Sequence, residues 1–323
     1  MSNITIASRF EPEKVTMRDT YCSTLMRLAE ENSKIVVLDA DLINAVGMAP
    51  FAAKFPERTF DVGIQEANMI GVAAGLSATG QIPFAHSFAP FATRRCFDQI
   101  FLSCAYAKLN VRIIGSDPGI TAAFNGGTHM PFEDMGILRN VPGITILEPV
   151  DDAMLEDLVE QTASLYGVFY IRMLRKNAVK IYEPGSKFEI GRGVVLREGE
   201  DVSIIATGIM VKEALDAAEI LANDGISARV VNIFTLKPID RELVAACAAK
   251  TGAIVTAENH SIINGLGSAV AEVIAEGAPA QLERVGVRDE FGEVGPVDYL
   301  RKRFKLNAEE IAARAKMAIS RKN

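Results

Sequence analysis

Apolar and polar positions along the chain follow a βα rhythm. The spacing over Met17–Glu31 predicts an amphipathic helix, and the apolar run within residues 33–39 predicts a short buried strand after it. Residues 109–114 (LNVRII) and 144–149, closed by Pro149, predict two further strands. Asp151 and Asp152 open a helix that runs to about Ser164, with its acids in the first turn, where the helix dipole favours them. Gly167 ends that helix, and residues 168–172 return as a strand. Such alternation implies a mostly parallel sheet with helices on both faces.

Residues 181–193 (IYEPGSKFEIGRG) interrupt the rhythm with Pro184 and three glycines, and read as a linker. A second series follows, with strands at 202–206, 228–234 and 253–257. Its helices fall at 210–223, 241–250, 267–276 and 308–321. Asp224-Gly225 closes the first of these helices, glycine supplying the left-handed residue. No fixed-period repeat is present. The pattern therefore predicts an α/β protein of two domains, residues 1–180 and 194–323, joined by the linker 181–193.

Composition narrows the partners. The chain has 323 residues, of which 49% are apolar, so it can bury a core without disulfides or metals. With 34 basic and 41 acidic residues the formal charge is −7, which argues against nucleic acid as a partner. It does not argue against small anions, which a local arginine pair can hold. Cys22, Cys96, Cys104 and Cys247 show no metal or redox spacing. Neither a basic-then-apolar leader nor an apolar run of about 18 residues occurs, so the expectation is a cytoplasmic protein with no membrane partner.

Several motifs carry little. The run Gly265-Leu266-Gly267-Ser268-Ala269-Val270 approximates a dinucleotide fingerprint but has Val at the third glycine, and tight packing explains its glycines better. P-loop, H-E-x-x-H and G-x-S-x-G patterns are missing. Three segments carry more. His129 lies in a glycine-rich loop, residues 125–131, after a strand, where open α/β sheets bind ligands. Residues 60–76 lead into a helix rich in Gly71, Ala73, Ala74 and Gly75, with Glu66 at its start beside Ile64 and Met69. That carboxyl is either a functional group in a water-poor setting or an acid complementing the helix dipole. Phe88 and Phe91 flank a proline at a strand–helix junction, a placement suited to a flat heterocycle.

Taken together, these residues resemble the carboxyl-terminal half of a transketolase. The resemblance runs from Arg18 through Asp39-Ala40-Asp41-Leu42, Gly63-Ile64-Gln65-Glu66, Ser87-Phe88-Ala89-Pro90-Phe91 and Gly126-Gly127-Thr128-His129. It continues to Arg175-Lys176-Asn177 and Phe291-Gly292-Glu293-Val294-Gly295, covering nearly the whole chain. It implies a thiamine-diphosphate enzyme of which this chain supplies a doubly wound pyrimidine-binding domain and the transketolase C-terminal α/β domain. The family's Gly-Asp-Gly motif with its later Asn has no counterpart here, the nearest run being Asn223-Asp224-Gly225. The diphosphate and its Mg²⁺ would then be held by a separately encoded amino-terminal subunit. A symmetric association of two such pairs through the pyrimidine domain is also implied.

The resemblance assigns roles position by position. Glu66 matches the glutamate that bonds the aminopyrimidine ring and activates the cofactor by proton transfer. Asp41, Leu42 and Ile64 match residues beside the cofactor, and Phe88 and Phe91 match aromatics around the pyrimidine. His129 matches a histidine touching sugar hydroxyls and the carbonyl oxygen, and Arg18 and Arg175 match an arginine clamp on the sugar phosphate. The substrate end departs from the family pattern. Arg94 stands for the third aromatic of the pocket, Ala45 for a serine, Ser116 for a histidine, and Asn125 for the aspartate that reads the donor hydroxyl, with Phe124 before it. Two-carbon ketol transfer on an unusual sugar is therefore expected, apulose 4-phosphate or a sulfosugar being the two examples. Three rivals share the plan: the β subunit of a 2-oxo acid dehydrogenase, 1-deoxyxylulose-5-phosphate synthase, and a non-catalytic regulatory relative. His86 has no assigned role.

Overall fold

The structure is a computed structural model that describes residues 3–322. Its strands in chain order are β1 (Ile35–Asp39), β2 (Thr59–Asp61), β3 (Ile82–Phe88), β4 (Val111–Ser116), β5 (Ile144–Leu147), β6 (Val168–Met173), β7 (Val194–Arg197), β8 (Val202–Ala206), β9 (Ala228–Asn232), β10 (Thr235–Lys237), β11 (Ala253–Ser261) and β12 (Gln281–Val287). They form a seven-stranded sheet ordered β10-β5-β6-β4-β3-β1-β2 and a five-stranded sheet ordered β12-β11-β8-β9-β7. Both are parallel except where β10 meets β5 and β7 meets β9. β1, β4, β6, β8 and β9 are buried along their whole length, as strands covered by helices on both faces must be.

Local chemistry fixes the main helices. Thr16 caps Met17–Glu31 by accepting from the Asp19 N–H, and Asp151 caps Asp152–Ser164 by accepting from Met154 N–H at 3.0 Å. Gly225 adopts φ +76° after Met210–Asn223, the left-handed stop expected there. The continuous strand expected over 228–234 is instead broken. β9 ends at Asn232, and the chain crosses to the first sheet, where β10 pairs antiparallel with β5. The strand expected over 253–257 runs on to Ser261. β2 with three residues, the edge strand β12 and the short β7 lack an apolar run long enough to mark them in the sequence.

The extension of β11 carries four polar residues, Glu258 to Ser261, into the junction between the sheets. Arg172 on β6, fully buried, donates to Asp134 Oδ2 at 2.8 Å, to Glu148 and to the Asn259 carbonyl at 2.8 Å. Tyr170 OH donates to the same Asp134 oxygen at 2.7 Å. Burial alone would lower the Arg172 pKa, but Asp134 and Glu148 outweigh it and hold it above the ordinary value. The Asn259 side chain accepts from Ile120 N–H and donates to Pro118 O, both at 2.9 Å. His260 Nε2 accepts from Gly136 N–H at 3.2 Å while Nδ1 faces the Ser261 carbonyl at 2.7 Å, the pattern of a neutral ring. Burial lowers its pKa to about 4. Glu258 accepts from Leu266 and Gly267 N–H at the start of helix Leu266–Ala275. A Cβ on Gly265 would lie 1.9 Å from the Glu258 carboxylate, which is the packing reason for that glycine.

Two outcomes are expected. Arg172→Ala leaves Asp134 and Glu148 buried without their cation and should lower unfolding free energy by about 3–5 kcal/mol in urea titrations. His260 titrates at 6.5 when unfolded and at about 4 when folded, so between these values the unfolded chain holds more protons. Its contribution is therefore complete above pH 6.5 and is lost as pH falls through 4. Unfolding free energies from urea titrations at pH 7 and pH 5 should differ less for His260→Gln than for the natural chain, by about 1–2 kcal/mol.

Candidate active site

The residues singled out in the sequence gather at the carboxyl ends of β1, β3, β4 and β6, the edge where parallel sheets place ligand sites. β3 ends at Phe88 and passes into the short helix Ala89–Ala92, which carries Phe91. The two rings lie 6.2 Å apart, edge to face. His129 closes a triangle with them, its ring 5.7 Å from Phe88 and 4.9 Å from Phe91. Its Nδ1 lies 2.9 Å from Thr128 Oγ1, leaving Nε2 as the nitrogen available to a ligand.

The histidine loop needs its glycines. A Cβ on Gly127 would meet the Gly292 carbonyl at 2.3 Å, and one on Gly126, at φ +77°, would meet Val294 at 2.8 Å. The 291–295 segment thus packs directly on the loop that presents His129.

Glu66 begins helix Glu66–Ala78 and is buried, its side chain 2% exposed. Its surroundings are not purely apolar. Arg95 Nη1 lies 2.8 Å from both carboxylate oxygens, and the guanidinium sits 4.0 Å over the Phe91 ring. Arg94, expected at the cofactor, pairs with Glu133 at 2.7 Å with more than half its side chain exposed. The cause is local. Regular helical spacing would bring positions 88, 91 and 94 to one side, but the helix stops at Ala92 and Thr93 takes φ −123°, ψ −79°. A 3₁₀ turn over Arg94–Cys96 then swings Arg95 inward in place of Arg94. Arg94 and Arg95 are adjacent and alike, so spacing alone offers no means to choose between them.

The arginine end is also assembled. Arg18 Nη1 donates to the Ala45 carbonyl at 3.0 Å, and Arg175 Nη1 donates to the same oxygen at 3.3 Å. Arg175 also pairs with Asp117 at 2.7 Å and lies 5.1 Å over the Phe88 ring. Burial pushes the Asp117 carboxyl up in spite of the Arg175 guanidinium beside it. Asp117 was not foreseen; the Ser116-Asp117-Pro118 turn was its one signal, and the residue adopts φ +54° there.

Other expected residues sit differently. Asp41, at φ +62°, has its N–H bonded to Asp61 Oδ1 at 3.0 Å, and Gly63 N–H bonds the same oxygen at 2.9 Å. Asp61 therefore ties the Asp41-Leu42 turn to the Ile64 loop, and Ile64 itself is 71% exposed. Ser116 is buried, with Oγ 3.4 Å from the Ser87 carbonyl, and Asn125 is exposed with no side-chain bond among the described residues. His86, unassigned from sequence, is buried with Nδ1 3.0 Å from Asp39 Oδ2 on the neighbouring strand. Among the described residues, no group of three His, Cys, Asp or Glu side chains could hold a metal ion.

Residues 13–180 match the family described as the transketolase pyrimidine-binding domain, and residues 191–311 match the transketolase C-terminal domain. The chain is 55% identical over 311 residues to the 6-deoxy-6-sulfo-D-fructose transketolase subunit SqwH of Clostridium sp. (strain MSTE9), spanning 96% of this chain and 97% of that one. It is 38% identical to 1-deoxy-D-xylulose-5-phosphate synthase 1 of Geobacter sulfurreducens over 94% of this chain but 48% of that longer one. Among solved structures it superimposes with a TM-score of 0.89 on a split-gene transketolase, an inactive β4 tetramer. That pair is 45% identical, and the match covers 96% of this chain and 100% of the other.

The two arginines separate in a stability assay. Arg95→Ala strips a buried carboxylate of its partner and should cost about 1–3 kcal/mol. Arg94→Ala removes an exposed pair and should cost under about 1 kcal/mol, measured as denaturation midpoints of the two variants side by side.

Proposed function

The chain belongs to the transketolase family, and we propose that it is the carboxyl-terminal subunit of a two-chain thiamine-diphosphate enzyme that transfers a two-carbon ketol unit between sugars with an anionic end. The observation that carries this reading is the convergence of Glu66, Phe88, Phe91 and His129 with Arg18 and Arg175 on one sheet edge. The 55% identity to a sulfofructose transketolase subunit favours a sulfonated ketose over apulose 4-phosphate as the substrate class. The pyrimidine-binding domain is taken as residues 1–180, the linker as 181–193 and the C-terminal domain as 194–323.

The site residues fit the pyrimidine half of the cofactor. A buried carboxylate at a helix start is joined through Arg95 to the aromatic pair Phe88 and Phe91. When bound, thiamine diphosphate supplies the nucleophilic carbon that carries the two-carbon unit. Glu66 offers an oxygen to a ring nitrogen and holds the shared proton there, using the lone pairs that Arg95 leaves free on the two oxygens. Phe88 and Phe91 exclude water from the ring faces. His129 Nε2 reaches toward the substrate oxygens. Arg18 and Arg175 present N–H donors to a phosphate or sulfonate, and Asp117 and the Ala45 carbonyl hold them in place.

The diphosphate and Mg²⁺ are assigned to an amino-terminal partner subunit, since the family's diphosphate motif has no counterpart in this sequence. The chain spans about half the length of that synthase. Self-association through the pyrimidine domain is supported by the open face of helix Glu66–Ala78. Gly71 and Gly75 have no atom within 4 Å of an added Cβ, and Leu102 and Tyr106 are exposed nearby. No described helix is long and apolar enough to cross a membrane, and we place the enzyme in the cytoplasm.

Capture of the tagged chain from its native lysate should bring down a protein carrying Gly-Asp-Gly and a later Asn. The reconstituted pair should turn over ketose, and the isolated chain with thiamine diphosphate and Mg²⁺ should not; turnover by the isolated chain would refute the split site. In the pair, Glu66→Ala should abolish turnover with assembly intact. Arg175→Ala should raise KM for the anionic sugar about tenfold or more while kcat changes less, because it removes a charge-assisted contact of about 1.5–3 kcal/mol.

A further inference from the structure

A basic cavity of about 200 Å³ lies outside this site, where β12 meets the helices Val297–Arg303 and Ala308–Ser320. Arg284, Arg288, Arg303, Lys305 and Arg314 line it with Glu290 and Glu310, and Glu293 and Glu283 reach Arg303 and Arg314 from beside it. In a chain of net charge −7 this is a local excess of positive charge. Arg303 pairs with Glu290 at 2.7 Å and lies 3.4 Å from Glu293, while Arg314 pairs with Glu310 at 2.7 Å and with Glu283 at 3.2 Å. The other three have no carboxylate partner among the described residues. Arg284 and Arg288 each donate one N–H to a backbone carbonyl, of Ile262 and Arg284 respectively, and their remaining donors are free. Arg288 and Lys305 thus leave a guanidinium and an ammonium free at the wall of this cavity beside Arg303, donors of the kind that a tetrahedral oxyanion accepts.

The cavity is mechanically joined to the site. Glu290 and Glu293 belong to the strap 288–295, and Arg303 holds both. Tyr299 OH fastens Glu293 again at 2.8 Å. Further along the strap, Gly292 and Val294 pack on Gly127 and Gly126 beside His129. Between these two anchorages Phe291 stands 96% exposed.

We infer that this cavity binds a small multivalent oxyanion, a phosphate group or phosphate ester, and that the anion competes with Glu290 for Arg303, loosening the strap where it meets the His129 loop. A dianion offers more acceptor oxygens and more charge than the single carboxylate it displaces. The inference does not depend on the ketol-transfer reading, because it concerns the chain without cofactor or partner.

The chain contains no tryptophan, so Phe291→Trp places one reporter on the strap. The full chain is titrated with potassium phosphate at constant ionic strength, following emission and thermal midpoint. The expected result is a saturable change in both at millimolar phosphate or below. Arg288→Gln combined with Lys305→Gln, two exposed positions whose change leaves the core alone, should abolish it, and Arg175→Ala should not. Sulfate giving the same curve assigns a site for oxyanions in general, and tighter binding of a sugar phosphate assigns a phosphate ester. A response no larger than that of potassium chloride, or one that survives the double substitution, overturns the site. A thermal shift with unchanged emission overturns the strap's part.

Discussion

The buried Arg172 guanidinium is the interaction on which the rest of the molecule depends. A cation taken fully out of water is tolerated only when its donors are all met, and here the acceptors come from three separate segments. Asp134 and Glu148 flank β5, while the Asn259 carbonyl belongs to β11 of the other sheet. The guanidinium can be satisfied only when the two sheets sit in one relative position. Asn259 passes that constraint on, because its side chain pins Pro118 and Ile120. The chain that leaves β4 is thereby held over the strand ends, and this is the chain that leads to His129.

The charges of the candidate site follow the same logic at its rim. Two buried acids, Glu66 and Asp117, are each covered by one partly exposed arginine, Arg95 and Arg175. Each arginine also lies over an aromatic ring, Phe91 or Phe88. A guanidinium can do both because its face stacks while its edge donates. The aromatic pair therefore organises two ion pairs as well as forming a wall. An acidic protein in this way places two guanidinium groups at the rim of the candidate site.

Much of the fold was legible because strong periodic runs leave little choice. Met17–Glu31, β8 and Met210–Asn223 begin and end where their apolar spacing and terminal residues say they should. The elements that escaped are short or sit at edges. β2, β7 and β12 draw their order from a neighbouring strand, so their own residues carry little signal. The crossing of residues 235–237 to the first sheet was also invisible, since a three-residue strand is defined only by the partner it finds. At the site, the aromatic pair and the glycine loop were legible as residue types in order. The choice of Arg95 over Arg94 was not, because it turns on one broken helical turn at Thr93.

By itself the sequence determined the βα order and the set of side chains available for chemistry: one carboxyl at a helix start, two phenylalanines around a proline, one histidine in a glycine loop. Those follow from spacing within a few residues, where chain geometry alone fixes which side chains share a face. Only the tertiary structure decided the partners of those side chains. Arg95 on Glu66, Asp117 on Arg175, Asp39 on His86 and Arg303 on the 288–295 strap join residues 13 to 58 positions apart. Such pairs are set by where strand ends and loops meet in space, and the burial that makes them matter exists only after the two sheets have closed on Arg172.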